Sequence, residues 1–419
     1  MKLIEDRLRD ALDAKAVGAG QPVPIAKQRV RRIRIMQATY ALLSVSAVIA
    51  LLVATVFGLR VSRTSRPDVA APAIVGAERL FILDTSPGGK ASEGAVVEVR
   101  AGPTEATVVE RYPLGSDPDA VLSPDGSRLF GVAFVWLSDI TTDDRLRVFD
   151  TSTGKLINEV DVPDWQGSTG GFHISSKIAV AQDGGHVYIL VGAPGAPDRP
   201  QSLATFDAVS GTMLPEVASL DGCGAGPTIL PLSGQTVMVV CPQTNEAHFL
   251  TIGAFGVLES SQVLALPVES DGFVSGAVLS PNGETVYAVS LNGLVLEIDT
   301  AGRRIVGDTQ LSLPGGHIVA VPLVRISPTG ESLFVGLSGG PESIRADLVM
   351  EVNVSTWKQE TTSTGTFSAF EPASDGSRIF MVNSGGSALD QFATDPAVDL
   401  GGLGRVADEP QAIIVAPTP

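Results

Sequence analysis

The feature that most constrains this chain is a phrase that it writes repeatedly. VLSPDGSRLFGVAF (121–134) has relatives in AVAQDGGHVYILVG (179–192), ILPLSGQTVMVVCP (229–242), AVLSPNGETVYAVS (277–290), VRISPTGESLFVGL (324–337) and EPASDGSRIFMVNS (371–384). Their turn glycines are Gly126, Gly184, Gly234, Gly283, Gly330 and Gly376, separated by 58, 50, 49, 47 and 46 residues. GAERLFILDT (76–85) repeats the second half upstream, with Arg79 in the place of Arg128, which makes seven units. Each phrase is a strand, a tight turn and a strand: Gly supplies positive φ, Asp or Asn bonds the backbone two residues on, Pro presets φ, and the flanking apolar alternation is that of half-buried strands.

A second phrase follows at a regular offset: VFDTSTGKLI (148–157), TFDAVSGTML (205–214), EIDTAGRRIV (297–306) and VNVSTWKQET (352–361). Asp150, Asp207, Asp299 and Asn353 are read as turn caps in it. Repeats of about 47–50 residues fit four antiparallel strands, a unit that cannot bury both faces alone but can when packed radially with its copies. The C-terminal PQAIIVAP (410–417) matches PDAVLSP (118–124), the first strand of a unit. The last strand of the chain is therefore expected to complete the first unit and hide an exposed edge.

These phrases, SPDGSRLF and SPNGETVYAV with DTSTGK at about 47-residue spacing, resemble the YVTN-type and related WD40-like seven-bladed β-propellers over residues 76–417. The resemblance implies an all-β, seven-bladed β-propeller. It carries fold and not function.

Ahead of the repeats, residues 36–59 carry no charge, and a helix of that length, about 36 Å, crosses a hydrocarbon core of about 30 Å. Lys27, Arg29, Arg31, Arg32 and Arg34 precede it, and Arg60, Arg63 and Arg66 follow. The heavier basic flank stays inside. The expected organisation is a basic cytoplasmic tail over 1–34 with a short amphipathic helix in residues 1–16, an uncleaved transmembrane helix over 35–59, a linker over 60–73 and an extracytoplasmic domain over 74–419. The order of tail, single span and propeller resembles that of actinobacterial membrane proteins. Residues 1–66 hold 12 Lys/Arg and 4 Asp/Glu, the remainder 17 and 42. So acidic a large part argues against nucleic acid as a partner.

Cys223 and Cys241, the only cysteines, lie outside the membrane in this topology, where disulfides persist. Cys223 precedes one strand and Cys241 ends the next, so a hairpin could join them. No CxxC or Cys/His cluster points to zinc, and no cofactor motif is present. His173 and His317 stand in Gly-rich loops before expected inner strands, and Trp136 and Trp165 stand in long insertions. Seven residues before the turn glycines stand Asp119, Lys177, Pro227, Gly276, Leu323 and Ala369, with one carboxylate among them, so no ring of metal ligands is legible at that register. Trp136, Trp165, His173, His317 and Asp119 are therefore candidates for a binding surface rather than a catalytic set.

Three functions remain open on these grounds. One is a binding scaffold or sensor that holds a protein or small molecule at its loops. A second is a propeller enzyme, a lactonase-like hydrolase or quinoprotein-type oxidoreductase, with its site in the channel. A third is a transmembrane regulator whose residues 1–16 bind a cytoplasmic factor.

Overall fold

The computed structural model describes residues 78–85, 94–134, 145–162, 178–191, 201–215, 218–220, 222–224, 226–233, 235–253, 258–268, 272–315, 317–339, 346–383, 388–394, 397–405, 407 and 410–417. The expected cytoplasmic helix, transmembrane helix and linker lie outside them. Among the described residues no helix is long and apolar enough to cross a membrane.

All regular structure in the described residues is β. The first sheet holds β1 (Glu78–Asp84), β2 (Ala95–Ala101) and β3 (Ala106–Pro113). The second holds β4 (Ser116–Leu122), β5 (Arg128–Phe134), β6 (Arg145–Asp150) and β7 (Leu156–Asp161). The third holds β8 (Ile178–Val180), β9 (His186–Val191), β10 (Ser202–Asp207), β11 (Thr212–Met213) and β12 (Ala218–Ser219), the last two forming an interrupted outer strand along β10. The fourth holds β13 (Thr228–Pro231), β14 (Thr236–Cys241), β15 (Glu246–Ile252) and β16 (Leu258–Ala265). The fifth holds β17 (Val274–Leu279), β18 (Thr285–Ser290), β19 (Leu294–Asp299) and β20 (Arg304–Gln310).

A seven-stranded sheet follows: β21 (Ile318–Ile326), β22 (Ser332–Ser338), β23 (Ala346–Asn353), β24 (Gln359–Pro372), β25 (Arg378–Asn383), β26 (Ala388–Thr394) and β27 (Ala397–Arg405). The long β24 pairs first with β23 and then with β25, so it is the last strand of one array and the first of the next. Finally β28 (Pro410–Val415) returns to pair with β1, placing PQAIIV as the first strand of the first sheet.

The burial patterns show why these segments become strands at these depths. Second strands such as β14, TVMVVC, are buried at nearly every position, because both faces of a sheet meet a neighbour. The outer β20, RIVGDTQ, alternates exposed and half-buried. Apolar clusters fill the spaces between sheets consecutive along the chain: first with second, second with third, and onward through the two halves of the long sheet. One further cluster joins β25–β27 to β1, β2 and β28 and closes the circuit.

Polar bonds tie neighbouring sheets at the same level. Arg79 holds Glu98 through Nε at 2.7 Å and the Thr151 carbonyl of the second sheet at 2.6 Å. The Tyr112 hydroxyl also donates to Glu98, at 2.7 Å. Burial and the Glu98 carboxylate both push the Tyr112 hydroxyl up from its ordinary pKa. Arg128, the matching residue of the second sheet, reaches the Ala208 carbonyl of the third at 3.0 Å.

Candidate functional site

The strands alternate in direction, so their connections fall on two ends of the molecule. One end carries the repeated phrases. Every connection there has at most five residues, from 395–396 to turns such as 123–127 and 373–377. The other end carries the long connections 85–94, 135–144, 162–177, 192–201, 220–227, 266–273, 311–317 and 339–345 beside short ones such as 242–245 and 291–293. We call these the turn face and the loop face.

The turn face explains the repeated phrase. In 121–134, Ser123 Oγ accepts the Arg128 amide at 2.9 Å and donates to Asp125 Oδ1 at 2.5 Å, and Asp125 accepts the Ser127 amide at 3.0 Å. Ser280 and Asn282 repeat the arrangement. These bonds hold the Asp125 carboxyl down to about 2, the Ser123 hydroxyl being the largest cause. In the second phrase, Asp150 caps the amides of Ser152 and Thr153, as Asp207 and Asn353 cap theirs.

The turns also interlock around the axis. A Cβ on Gly126 would sit 3.2 Å from Pro417, one on Gly184 3.5 Å from Pro124, one on Gly330 3.3 Å from Pro281 and one on Gly376 3.8 Å from Pro328. Gly184, Gly330 and Gly376 thus face the turn before them and Gly126 faces the C-terminal segment, whereas a Cβ on Gly283 would meet Gln182 of the third sheet's turn at 3.2 Å. Pro417 standing there confirms that the C-terminal strand takes the place of 118–124.

The innermost strands encircle the axis: β4 lies beside β8, β8 beside β13, β13 beside β17, β17 beside β21, β21 beside β24 and β24 beside β28. Strand register identifies one equivalent position on each. Val121, Ala179, Leu230, Val278, Arg325, Glu371 and Ile414 stand opposite Phe130, Tyr188, Met238, Tyr287, Phe334, Phe380 and Phe81 respectively. Five are apolar; the other two form an ion pair, with Arg325 Nε 2.5 Å from Glu371 Oε2. Both side chains are about a quarter exposed, at 27% and 26%. Enclosure pushes the Glu371 carboxyl up, with Arg325 opposing. Residue-type reading missed this pair. Its signal was available as two charges five residues before the turn glycines of successive phrases, where the other phrases carry an apolar residue.

Of the sequence candidates for a binding surface, Asp119 and His317 are among the described residues, and the structure does not bring these two together. Asp119 is half-buried on β4, where its Oδ1 accepts the Ala120 amide at 2.9 Å. His317 ends the connection into β21, and its amide donates to the Pro314 carbonyl at 2.9 Å. These two stand on sheets that are not neighbours in the circuit. Trp136, Trp165 and His173 lie outside the described residues, within the connections 135–144 and 162–177. Cys223 and Cys241 form a disulfide with Cα atoms 4.6 Å apart, which fastens the connection 220–227 to the end of β14. Both are fully buried. Among the described residues no group of three or more His, Cys, Asp or Glu is placed to hold a metal ion.

No protein-family model matches the chain, and no curated protein matches its sequence. Solved structures do match. The periplasmic gluconolactonase of Pseudomonas aeruginosa is 16% identical, with a TM-score of 0.61 over 82% of this chain and 100% of that one. The β-propeller domain of Cps50 (Swd1) from Myceliophteria thermophila is 12% identical, with a TM-score of 0.50 over 70% of this chain and 88% of that one. The fold is a β-propeller. A protein of Lactobacillus plantarum, 16% identical with a TM-score of 0.59 over 81% of this chain and 99% of that one, has the same architecture. At such identities the likeness carries the propeller fold alone.

Proposed function

We propose that this propeller is a membrane-anchored, extracytoplasmic binding module that holds its partner on the loop face. The observation that carries the reading is the asymmetry of the connections: at most five residues on one face, and as many as the stretch 162–177 on the other. Variable segments on a rigid ring are a recurring way to build a recognition surface. The reading takes the ring as seven-bladed, with the seven-stranded sheet counted as two blades that share β24. The seven register-equivalent inner positions and the interblade clusters support that count. The uncharged stretch 36–59 supports an anchor, and the buried Cys223–Cys241 bond suits an oxidising compartment.

The test is photo-crosslinking in intact cells with the full chain. One variant has 135–144 and 192–201 replaced by short turns; another has the turn-face Ser152 and Thr153 changed to Ala. The reading expects cross-linked species to vanish in the first and persist in the second. Persistence in both overturns it.

A second reading is favoured by one observation, the Arg325–Glu371 ion pair between neighbouring innermost strands. Among similar structures stands a protein whose name is periplasmic gluconolactonase. A lactone-directed hydrolase would use the channel, with Arg325 polarising a carbonyl and Glu371 as base. Release of acid from gluconolactone by the full chain, lost in Arg325→Met, is its expected outcome; a rate equal to the buffer blank overturns it.

A further inference from the structure

Exposed apolar side chains are not spread evenly over the outer rim. Among the described residues eight large apolar side chains are exposed, and five of them, Val108, Val109, Leu156, Ile157 and Val209, stand on the first three sheets. Contacts between neighbouring sheets make these five one band. The Glu110 side chain lies 3.2 Å from where a Cβ on Gly154 would stand, and Asn158 Nδ2 donates to the Gly211 carbonyl at 3.0 Å. The first contact joins β3 to the turn before β7, and the second joins β7 to the turn before β11. A contiguous exposed apolar patch marks an interaction site in a way that scattered single residues do not.

Two β-bulges shape the band. Glu98 pairs with Glu110 and Val99 with Val108, which leaves Val109 as the extra residue of β3. Val148 pairs with Asn158 and Phe149 with Leu156, which leaves Ile157 as the extra residue of β7. Bulges turn an edge strand away from pairing with another chain, so a partner on this surface meets side chains rather than the backbone ladder. The two registers also put β3 and β7 in step. Glu98 and Val148 stand opposite Phe81 and Phe130, which hold the same place in the repeated phrase. Val108 is therefore level with Leu156, Val109 with Ile157, and Arg111 with Glu159. Arg111 is 46% exposed and Glu159 28%.

This register is self-complementary. A twofold axis parallel to the ring axis, passing between β3 and β7, lays the β3 of each copy against the β7 of the other and preserves the levels. Val108 then meets Leu156, Val109 meets Ile157 and Arg111 meets Glu159, each pair formed twice. Lys155, exposed at the level of Thr107, meets a strand whose nearest charges along the sequence are the exposed carboxylates of Glu105 and Glu110. Apolar side chains face apolar ones, and opposite charges face each other, without any other protein being needed. We propose that this band is the contact by which two copies of the chain pair side by side. Both loop faces then point the same way and stay open. The pairing requires neither a partner on the loop face nor hydrolysis, so it goes beyond both readings above and fails separately from them.

The test uses the full chain in detergent, followed by sedimentation equilibrium. A monomer–dimer equilibrium is expected. Ile157→Lys sets a charge twice into the apolar centre of the contact and is expected to raise the dissociation constant about ten-fold or more. Val109→Lys, at the residue that Ile157 faces, is expected to do the same. Val263→Lys, at a comparably exposed valine of β16 in the fourth sheet, is expected to change nothing. Cross-linking reads the register. The native cysteines are tied to each other, so Val109→Cys and Ile157→Cys chains each carry one free thiol. Oxidised together they are expected to give disulfide-linked dimers, and oxidised separately to give few, because position 109 faces 157 and not itself. The proposal is overturned if the wild type is monomeric at about 100 μM, well above the micromolar affinity of even a weak interface of standard size. It is equally overturned if association survives both lysine variants, or if either cysteine variant cross-links alone as well as the mixture does.

Discussion

Asp125 illustrates how the turn face responds to its surroundings residue by residue. Its carboxyl in the folded chain protonates near 2, whereas in an unfolded chain an Asp does so near ~4. As the pH falls, the unfolded state takes up this proton first. The contribution of the carboxylate is therefore complete above about 4 and is lost as the pH falls toward 2. Asp125→Asn is expected to flatten the acid side of the stability curve in that window while leaving melts near neutrality little changed; urea midpoints from pH 2.5 to 6 read the difference. The glycines offer a sharper comparison. Gly126 and Gly376 have nearly the same φ, 67° and 70°, so alanine meets similar backbone strain at both, of order 1 kcal/mol. Their surroundings differ, because the new Cβ comes within 3.2 Å of Pro417 at the first and no nearer than 3.8 Å to Pro328 at the second. Gly126→Ala should lower the denaturation midpoint more than Gly376→Ala; equal losses would mean that the turns do not bear on each other. This turn chemistry was legible in the sequence because it is local: the Ser, Asp and Gly that bond one another lie within five residues. Arg79–Glu98–Tyr112 and Arg325–Glu371 were not, because their partners come from other strands and meet only once the register is known.

At the scale of the element, β28 carries the closure. It is the first strand of the sheet whose other members open the described chain, and it pairs with β1 from Leu80↔Val415 to Asp84↔Pro410. Its Ile413 is buried in the cluster that joins the end of the chain to its beginning, while Ala416 and Ile414 pack in the next. Removing residues 410–419 would bare the β1 edge and uncover both clusters at once. The truncated chain is expected to aggregate or to lose its cooperative transition, whereas removal of 418–419 alone should leave size-exclusion profile and melt unchanged. The match of PQAIIVAP to PDAVLSP made this strand legible from sequence. The continuity of β24 was not, since nothing local distinguishes an outer strand that stops from one that runs on into the next array. The interruption between β11 and β12, by contrast, is marked by Pro215, which has no amide to give the ladder.

At the scale of the molecule, the propeller followed from the spacing of the repeated phrases, whereas the candidate residues Trp136, Trp165, His173, Asp119 and His317 were read only as loop or strand-start positions. The Arg325–Glu371 pair, by contrast, depends on which strands become neighbours around the ring, which even spacing alone does not reveal. The disulfide belongs to this scale because it fastens a loop-face connection to the frame. Its loop spans a sequence separation of 18 residues, and closing a loop of that size in the unfolded chain is worth about 3 kcal/mol in the entropic account. Both cysteines are also buried in the cluster between the third and fourth sheets, so the bond is shielded from reductant while the ring is closed. Two outcomes follow. Cys223→Ala with Cys241→Ala should lower stability by about 3 kcal/mol in denaturant titrations of the oxidised protein. Dithiothreitol should leave the native wild type untouched and shift its midpoint toward that of the double variant only when present through the unfolding transition. If the reductant acts at once on the folded protein, the connection 220–227 opens without the ring, and the loop face is less firmly seated on its frame than the buried bond implies.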